Sequence, residues 1–140
     1  VHVPVSGRRF HAYLQFENPR AGEVRDAMMA AIAFRRLKAV YAFDEDVDIF
    51  DDRQVMWALA TRVQWHRDIM RLDGLTLAPL DPSAPATGRT ITKAAIDATL
   101  PPAAKPGQPK PVAPRNRVSD EALAAANALL DGVDTSGWPS

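Results

Sequence analysis

The sequence predicts an α/β fold: a small, mostly parallel sheet flanked by helices, followed by a proline-rich linker and a C-terminal docking helix. Strand-like and helix-like segments alternate through residues 1–100, an order that favours parallel pairing. Residues 39–43 are nearly all apolar, which is typical of a strand covered on both faces. Residues 101–114 include six prolines, as extended linkers do. We therefore expect an α/β domain over 1–100, a linker over 101–118, and a helix with a tail over 119–140.

The first strands are predicted from β-branched and aromatic segments at the start of the chain. Residues 1–5 alternate as a short strand does, and Phe10–Phe16 is rich in aromatic side chains. A chain that opens with Val1 inside a strand is expected to be part of a longer protein. Residues 18–22 contain Asn, Pro and Gly, which end regular structure.

A helix is predicted over Glu23–Leu37. Apolar side chains recur there at helical spacing, and Glu23 lies in the first turn, where the helix dipole favours an acid. The basic residues that follow are expected to lie at the C-terminus of the helix, where the dipole favours cations. These residues are Arg35, Arg36 and Lys38.

The most informative stretch follows the apolar strand 39–43. Six of the nine residues from 44 to 52, here called the acidic turn, are Asp or Glu. An apolar helix to about Val63 comes next. Asp51 or Asp52 is expected to cap this helix, and Asp51 with Gln54 has the spacing of a capping box.

The sequence leaves three roles open for the acidic turn. It could be a metal-binding loop, an acid/base pair, or a turn that caps a helix and forms pairs with partner groups. Ile49 and Val55 stand where a calcium-binding EF-hand loop needs Gly and Glu, which disfavours calcium. An acid/base pair remains open because carboxylates after a parallel strand lie where α/β ligand sites form. Alternation predicts that Val47 and Ile49 point inward and that Asp46 and Asp48 point outward.

The later elements have weaker signals. Residues 65–70 are predicted as a short strand or the approach to one, and 75–77 as a strand that prolines end. Residues 90–99 are ambiguous between a strand and one helical turn. Ser119 is expected to cap a last helix to about Leu130 with one apolar stripe. A helix this short is marginal alone, so we expect it to dock, and the linker gives it the reach to do so on a neighbouring subunit.

Composition disfavours several functions. The 17 basic and 17 acidic residues balance, which leaves no electrostatic footprint for nucleic acid or an anionic membrane. No apolar run approaches the length of a membrane span. The absence of cysteine excludes thiolate chemistry and is compatible with a cytoplasmic location. The three histidines share no metal-site spacing, no glycine-rich phosphate loop is present, and Lys93 is expected at the surface or paired with Asp97.

Two segments resemble the UbiD family of decarboxylases. The first runs from Val40 to Arg62 and contains Asp-Glu-Asp-Val-Asp-Ile-Phe and Val-Met-Trp-Ala-Leu-Ala-Thr-Arg. The second is Thr92–Thr99, a lysine-containing stretch that ends in Ile-Asp-Ala-Thr. The resemblance covers residues 1–100 and implies the C-terminal α/β domain of such an enzyme. We find no match to the family in the sequence of residues 101–140.

The resemblance implies an activity that this chain does not carry by itself. UbiD-like enzymes use prenylated flavin mononucleotide (FMN), bound with manganese and potassium, to remove carboxylate reversibly from aromatic and α,β-unsaturated acids. Their catalytic Glu-Arg-Glu network and their flavin and metal ligands lie before the C-terminal domain. We therefore expect no catalytic, cofactor-binding or metal-binding residue in this chain, and no activity without the N-terminal and central portion of the decarboxylase.

The resemblance also implies that this domain closes the active site and builds a homo-oligomer interface. By position, four apolar residues lie near the substrate: Leu75, Leu77, Pro79 and Leu80. Six residues are expected at interfaces: Asp46, Asp48, Trp57, Leu123, Leu129 and Leu130. One alternative is a non-catalytic protein-interaction module that uses the acidic turn and the last helix. The other is an independent metal-dependent enzyme built on the carboxylates.

Overall fold

The computed structural model describes residues 1–76, 80–84, 90–101 and 118–130, of which residue 130 by its backbone alone. These ranges contain β1 (His11–Phe16), α1 (Glu23–Ile32), β2 (Ala39–Asp44), α2 (Asp52–Arg62), β3 (Ile69–Thr76), β4 (Thr90–Asp97) and α3 (Asp120–Leu130). The strands form one sheet in the order β1-β2-β4-β3. The predicted α/β class is confirmed.

The sheet is mostly parallel, as the sequence predicted. β2 lies in the middle and pairs in parallel with β1 and with β4. β3 is the exception, because it pairs antiparallel with β4, the next strand along the chain. Consecutive strands can pair in this way without the helical crossover that a parallel pair needs.

The parallel strands give the sheet two unlike edges. At the carboxyl edge, β2 ends at Asp44 and β4 ends at Asp97. At the amino edge, Lys38 directly precedes β2 and Thr90 begins β4. The six residues of β2 separate these edges by about 20 Å at roughly 3.3 Å per residue.

Alternating side chains of β2 enter two separate apolar clusters. Val40 and Ala42 are fully buried in the cluster that contains Val24, Met28 and Ile32 of α1. Phe43 is fully buried in the other cluster, with Val55 and Ala58 of α2. Because successive side chains of a strand point to opposite faces, α1 and α2 cover opposite faces of the sheet. This confirms that β2 is covered on both faces.

Helix α1 is shorter than predicted. It ends at Ile32, and its last turn contains no basic residue. Tight turns follow, in which Phe34 N donates to the carbonyl of Ala31 and Leu37 N donates to the carbonyl of Phe34. These turns bring Leu37 into the buried cluster beneath α1, immediately before β2 begins. The expected placement of Arg35, Arg36 and Lys38 at the helix terminus is therefore wrong.

Helix α2 begins as predicted. Asp51 is its N-cap, and Asp51 Oδ1 accepts a hydrogen bond from Arg53 N at 2.9 Å. The Gln54 side chain reaches back toward the helix start, where its Oε1 accepts from Asp48 N at 3.2 Å. In a standard capping box the third helical residue reaches the N–H of the cap itself. Here Gln54 instead binds the N–H of Asp48, which lies three residues before the cap in the acidic turn.

The predictions for the two ends of the chain and for residues 90–99 had mixed outcomes. The strand expected over residues 1–5 is reduced to a single bridge between His2 and Tyr13. The ambiguous stretch 90–99 is a strand over Thr90–Asp97. Ser119 caps α3 as predicted, since its Oγ accepts from Ala122 N at 3.2 Å. The linker predicted over 101–118 lies outside the described residues, apart from its two ends. None of the helices in the described ranges is long and apolar enough to cross a membrane.

Candidate functional site

The acidic turn lies at the carboxyl edge of the sheet, and its first carboxylate is buried. Asp44 ends β2, and its Oδ2 accepts a hydrogen bond from Leu100 N at 2.6 Å. This contact fastens the chain that leaves β4 to the end of β2. Asp44 therefore joins the end of β2 to the segment that follows β4.

The next carboxylates of the turn are also engaged within the chain. Asp46 forms a two-point ion pair with Arg62, with Asp46 Oδ1 3.0 Å from Arg62 Nη1. The Arg62 guanidinium lies 5.0 Å from the ring centroid of Trp57, which is half-buried. Asp48 Oδ1 accepts from Phe50 N at 2.9 Å. The turn is thus shaped by internal hydrogen bonds and by one ion pair with α2.

The predicted alternation within the turn is confirmed. Val47 and Ile49 are buried in the cluster beneath α2, whereas Asp46 and Asp48 are exposed. Among the described residues, no three His, Cys, Asp or Glu side chains are grouped as a metal ion requires. The geometry favours the interpretation of the acidic turn as a helix cap and internal brace, and it assigns no acid/base step to these carboxylates.

A cleft of about 440 Å³ opens at the same edge, between the start of α1, the start of β3 and the end of β4. Gly22 begins α1 with φ 86°, a left-handed conformation that glycine adopts without strain. On the opposite wall, a hydrogen bond from Arg67 Nε to Asp68 Oδ1 holds the pKa of Asp68 below its usual value. Asp97 Oδ1 accepts from Thr99 N at 2.9 Å. The polar pairs of the cleft are therefore partly buried, and Val24, Met28 and Met70 supply apolar lining.

Two of the four apolar residues that the resemblance places near the substrate, Leu75 and Leu80, are described, and Leu75 lies toward the other edge of the sheet. Leu75 is half-buried on β3, where it pairs with Ile91 near the start of β4. Leu80 is 86% exposed. Leu77 and Pro79 lie outside the described residues. The segment that carries these side chains and the acidic turn are therefore at opposite edges of the sheet.

One buried carboxylate lies on that segment, and sequence reasoning did not single it out. The Asp81 side chain is 3% exposed, and its Oδ2 is 3.0 Å from Lys38 Nζ. Asp81 Oδ1 accepts from Ser83 N at 2.9 Å and from Ser83 Oγ at 2.8 Å. Burial raises the pKa of Asp81, but the bonds from Ser83 and Lys38 outweigh it and leave the pKa below its usual value. The Asp-Pro-Ser sequence is a turn signal that indicates this local geometry, but not the distant lysine.

Lys93 is buried, and the prediction of a surface lysine or of a pair with Asp97 is wrong. The residue is 1% exposed, and its Nζ donates to the carbonyls of Ile32 and Phe34 at 3.2 and 2.9 Å. These carbonyls lie at the C-terminus of α1, where the helix dipole favours a cation. Burial lowers the pKa of Lys93. A lysine from β4 therefore provides the terminal cation that the sequence assigned to Arg35, Arg36 and Lys38.

The residues expected at interfaces on α3 are accessible in this chain. Every described side chain of α3, from Asp120 to Leu129, is exposed. Leu123 and Leu129 are the large apolar ones, and Leu129 is 76% exposed. The side chain of Leu130 lies outside the described residues.

The sheet, its two covering helices and the acidic turn define the class of domain. Residues 1–98 match the family described as the 3-octaprenyl-4-hydroxybenzoate carboxy-lyase C-terminal domain. This range contains the whole sheet and the acidic turn. The chain thus carries a domain of this family over residues 1–98.

The chain belongs to the UbiD family of decarboxylases, which confirms the resemblance seen in the sequence. It is 38% identical to the anhydromevalonate phosphate decarboxylase of Methanocaldococcus jannaschii over 91 residues, which are 64% of this chain and 22% of the relative. It is 51% identical to the gallate decarboxylase of Lactiplantibacillus plantarum over 57 residues, which are 41% of this chain and 12% of the relative. The chain therefore spans less than a quarter of the length of these relatives.

Solved structures agree with this assignment. The UbiD-class enzyme HmfF from Pelotomaculum thermopropionicum, in complex with FMN, matches with a TM-score of 0.67 and 30% identity, over 94% of this chain and 28% of that chain. An evolved dimeric form of HmfF in complex with prFMN matches with a TM-score of 0.55 and 29% identity, over 76% of this chain and 23% of that chain.

Proposed function

We propose that this chain is the C-terminal part of an enzyme that reversibly decarboxylates an aromatic or α,β-unsaturated carboxylic acid through prenylated FMN. The family match over residues 1–98, in a chain much shorter than its relatives, carries this proposal. The gallate decarboxylase and the HmfF complexes with FMN and prFMN support the substrate class and the cofactor. In the proposal, the N-terminal and central portion of the enzyme binds the flavin, manganese and potassium.

The proposal gives this chain a covering role rather than a chemical one. When bound, prenylated FMN supplies the covalent chemistry that releases carbon dioxide. Four carboxylates of the acidic turn are engaged with backbone groups or with Arg62, and we assign none of the turn's acids a proton-transfer step. These four are Asp44, Asp46, Asp48 and Asp51. That the chain alone binds no cofactor stays a prediction.

The segment at the amino edge is our candidate for closing the active site. Leu80 is highly exposed, and Leu75, five positions earlier on β3, is half-buried. Burying one leucine stabilises a complex by about 1.5 to 3 kcal/mol. An apolar substrate or the wall of the central portion would bury Leu80, together with Leu77 and Pro79 on the same segment.

Helix α3 is our candidate for assembly with a second copy of the chain. Leu123 and Leu129 are exposed and belong to one stripe with Leu130 in the sequence. Trp57, half-buried on α2, is proposed as a second contact. The complex is proposed to be a homo-oligomer in the cytoplasm, with which the absence of cysteine is compatible.

Mixing experiments test the decarboxylase proposal. We expect the chain alone to release no carbon dioxide from aromatic acids and the mixture with the flavin-loaded remaining portion to release it. Native mass spectrometry of the mixture should show both polypeptides and the flavin mass. Leu123→Asp should lower the oligomeric state, whereas Ala125→Asp, on another face of α3, should not. Turnover by the isolated chain would contradict the proposal.

A second candidate function is a non-catalytic interaction module, favoured by the exposed leucines of α3. The acidic turn supports it less, because Asp46 is paired with Arg62 and Asp48 accepts from Phe50 N. Charge reversal at Asp46 and Asp48 should weaken a complex in a salt-dependent way if the turn binds a basic partner. An unchanged affinity would exclude the turn from that interface.

A further inference from the structure

Among the described residues between β3 and β4, which are 80–84, one charged side chain is almost fully removed from solvent. Asp81 is 3% exposed at the side chain, although the adjacent Leu80 is 86% exposed. Isolated buried carboxylates are strongly disfavoured, so a buried one is normally held by a cation and by hydrogen bonds. Asp81 has both, from a residue far away in sequence and from its own turn.

The contacts of Asp81 converge from two directions. Lys38 Nζ is 3.2 Å from Oδ1 and 3.0 Å from Oδ2. Ser83 donates to Oδ1 from both its backbone N and its Oγ, and Lys38 Nζ also donates to Ser83 Oγ. We call these three residues the tether. The tether joins residues 81–83 to the residue that precedes the central parallel strand.

Lys38 is itself fixed by the sheet. Its backbone N donates to the carbonyl of Phe10 at 2.7 Å, and its carbonyl accepts from Ala94 N at 3.1 Å. The backbone of Lys38 is thus bonded on both sides, to the start of β1 and to β4. A side chain that leaves such a fixed point gives Asp81 a defined position relative to the sheet.

We propose that Lys38 and Asp81 are positioning residues that fix the segment carrying Leu80 at the amino edge, and that they thereby set which carboxylic acids the enzyme accepts. Neither residue touches the reacting atoms in this proposal. They act through Leu80, which the tether holds in an exposed position. The specificity part rests on the proposed decarboxylase function, whereas the tether itself does not.

Hydrogen exchange of the 140-residue chain tests the tether directly. The reporters are the amides of Ser83 and Ala84, which donate to Asp81 Oδ1 and to the carbonyl of Asp81. Asp81→Asn and Lys38→Met should accelerate their exchange about tenfold or more, because each leaves a charged partner buried or unpaired. Lys38→Arg keeps the charge and should restore most of the protection.

Asp73→Asn is the matched control. Asp73 lies on the same hairpin, where it pairs with Arg71 and accepts a hydrogen bond from Thr92 Oγ1 at 2.5 Å, but both of these contacts are exposed. Its removal makes the same charge change and should leave the exchange of Ser83 and Ala84 within about twofold, since exposed pairs contribute little. Equal exchange rates in Asp81→Asn and Asp73→Asn would overturn the tether.

The assembled enzyme tests the specificity part. The ratio of kcat/KM for a small and a bulky aromatic acid should change about threefold to tenfold in Asp81→Asn and Lys38→Met, mainly through KM, and should stay constant in Asp73→Asn. Faster exchange with an unchanged ratio would overturn the positioning role and leave the decarboxylase proposal standing. Absence of carbon dioxide release by the wild-type assembly would instead overturn the proposed function and with it the specificity part, while exchange still decides the tether.

Discussion

The two edges of the sheet use charge in opposite ways. The carboxyl edge has a dense run of acids, of which Asp44 is buried while Asp46 and Asp48 are exposed. Apart from Asp44, the run serves to shape a turn and to begin α2. The amino half of the sheet has two buried charges, Asp81 and Lys93, each held by groups far away in sequence. Exposed pairs contribute about 0 to 1 kcal/mol, whereas breaking a buried pair costs about 3 to 5 kcal/mol. The conspicuous cluster is therefore expected to matter less for stability than the inconspicuous single residues.

The strongest test of this comparison is Lys93→Met. Methionine retains the volume but leaves the carbonyls of Ile32 and Phe34 without their buried donor. Each lost buried partner costs about 1 to 3 kcal/mol, so the free energy of unfolding should fall by about 2 to 4 kcal/mol. Urea denaturation measures it. Arg71→Met, at an exposed site, should stay within about 0.5 kcal/mol. A loss below about 1 kcal/mol at Lys93 would remove the contrast between the edges.

The alkaline pH dependence of wild type and Lys93→Met sharpens the test. Burial lowers the folded-state pKa of Lys93 below its ordinary 10.5. Between these two pKa values the unfolded chain binds more protons, so stability rises with pH in that window. Tyr13 and Tyr41 have raised pKa values and act in the opposite direction above pH 10, but both are present in the two proteins, so their contribution cancels in the difference. The stability difference should therefore widen as the pH rises toward 10.5, and a constant difference would show that Lys93 titrates normally.

The sequence predicted the features that depend on near neighbours in the chain and missed those that depend on distant residues. The Asp51 cap, the Ser119 cap and the inward positions of Val47 and Ile49 depend on neighbours within a few residues, and all were predicted correctly. The end of α1 was not, because it depends on Lys93, about sixty positions away in the chain.

The partner of Asp81 was not predicted for the same reason. Lys38 and Asp81 are separated by 43 positions, and only the pairing of β2 with β4 brings them together. The local pattern around Asp81 indicates a turn, and turns are usually exposed. The cap and the turn at the prominent edge thus follow local rules, whereas the buried carboxylates at both edges, Asp44 with Leu100 and Asp81 with Lys38, depend on the assembled sheet.

Cap removal is expected to have an intermediate effect and tests the local side of the comparison. Asp51→Ala removes the acceptor for Arg53 N and should lower the free energy of unfolding by about 1 kcal/mol. Asp52→Ala is the matched control, because Asp52 is the first residue of the helix, is exposed, and affects only the dipole, for about 0.3 to 1 kcal/mol. Thermal unfolding followed by circular dichroism resolves the two. Equal losses would mean that charge near the helix start, rather than the cap hydrogen bond, stabilises α2.

The smallest expected effect belongs to the ion pair between Asp46 and Arg62. The Arg62 side chain is only 5% exposed and packs on the Trp57 ring, but the Asp46 side chain is 30% exposed. Because solvent reaches the carboxylate, the interaction between the two charges should contribute only about 1 kcal/mol. A double-mutant cycle with Asp46→Asn and Arg62→Gln isolates this coupling from the packing contribution. Because exposed charges are screened, the coupling should shrink in about 1 M salt, where the Debye length is about 3 Å. A coupling above about 2 kcal/mol that persists in salt would place this pair with the buried charges of the amino half, and the contrast between the two edges would then reflect burial of individual groups rather than their position in the sheet.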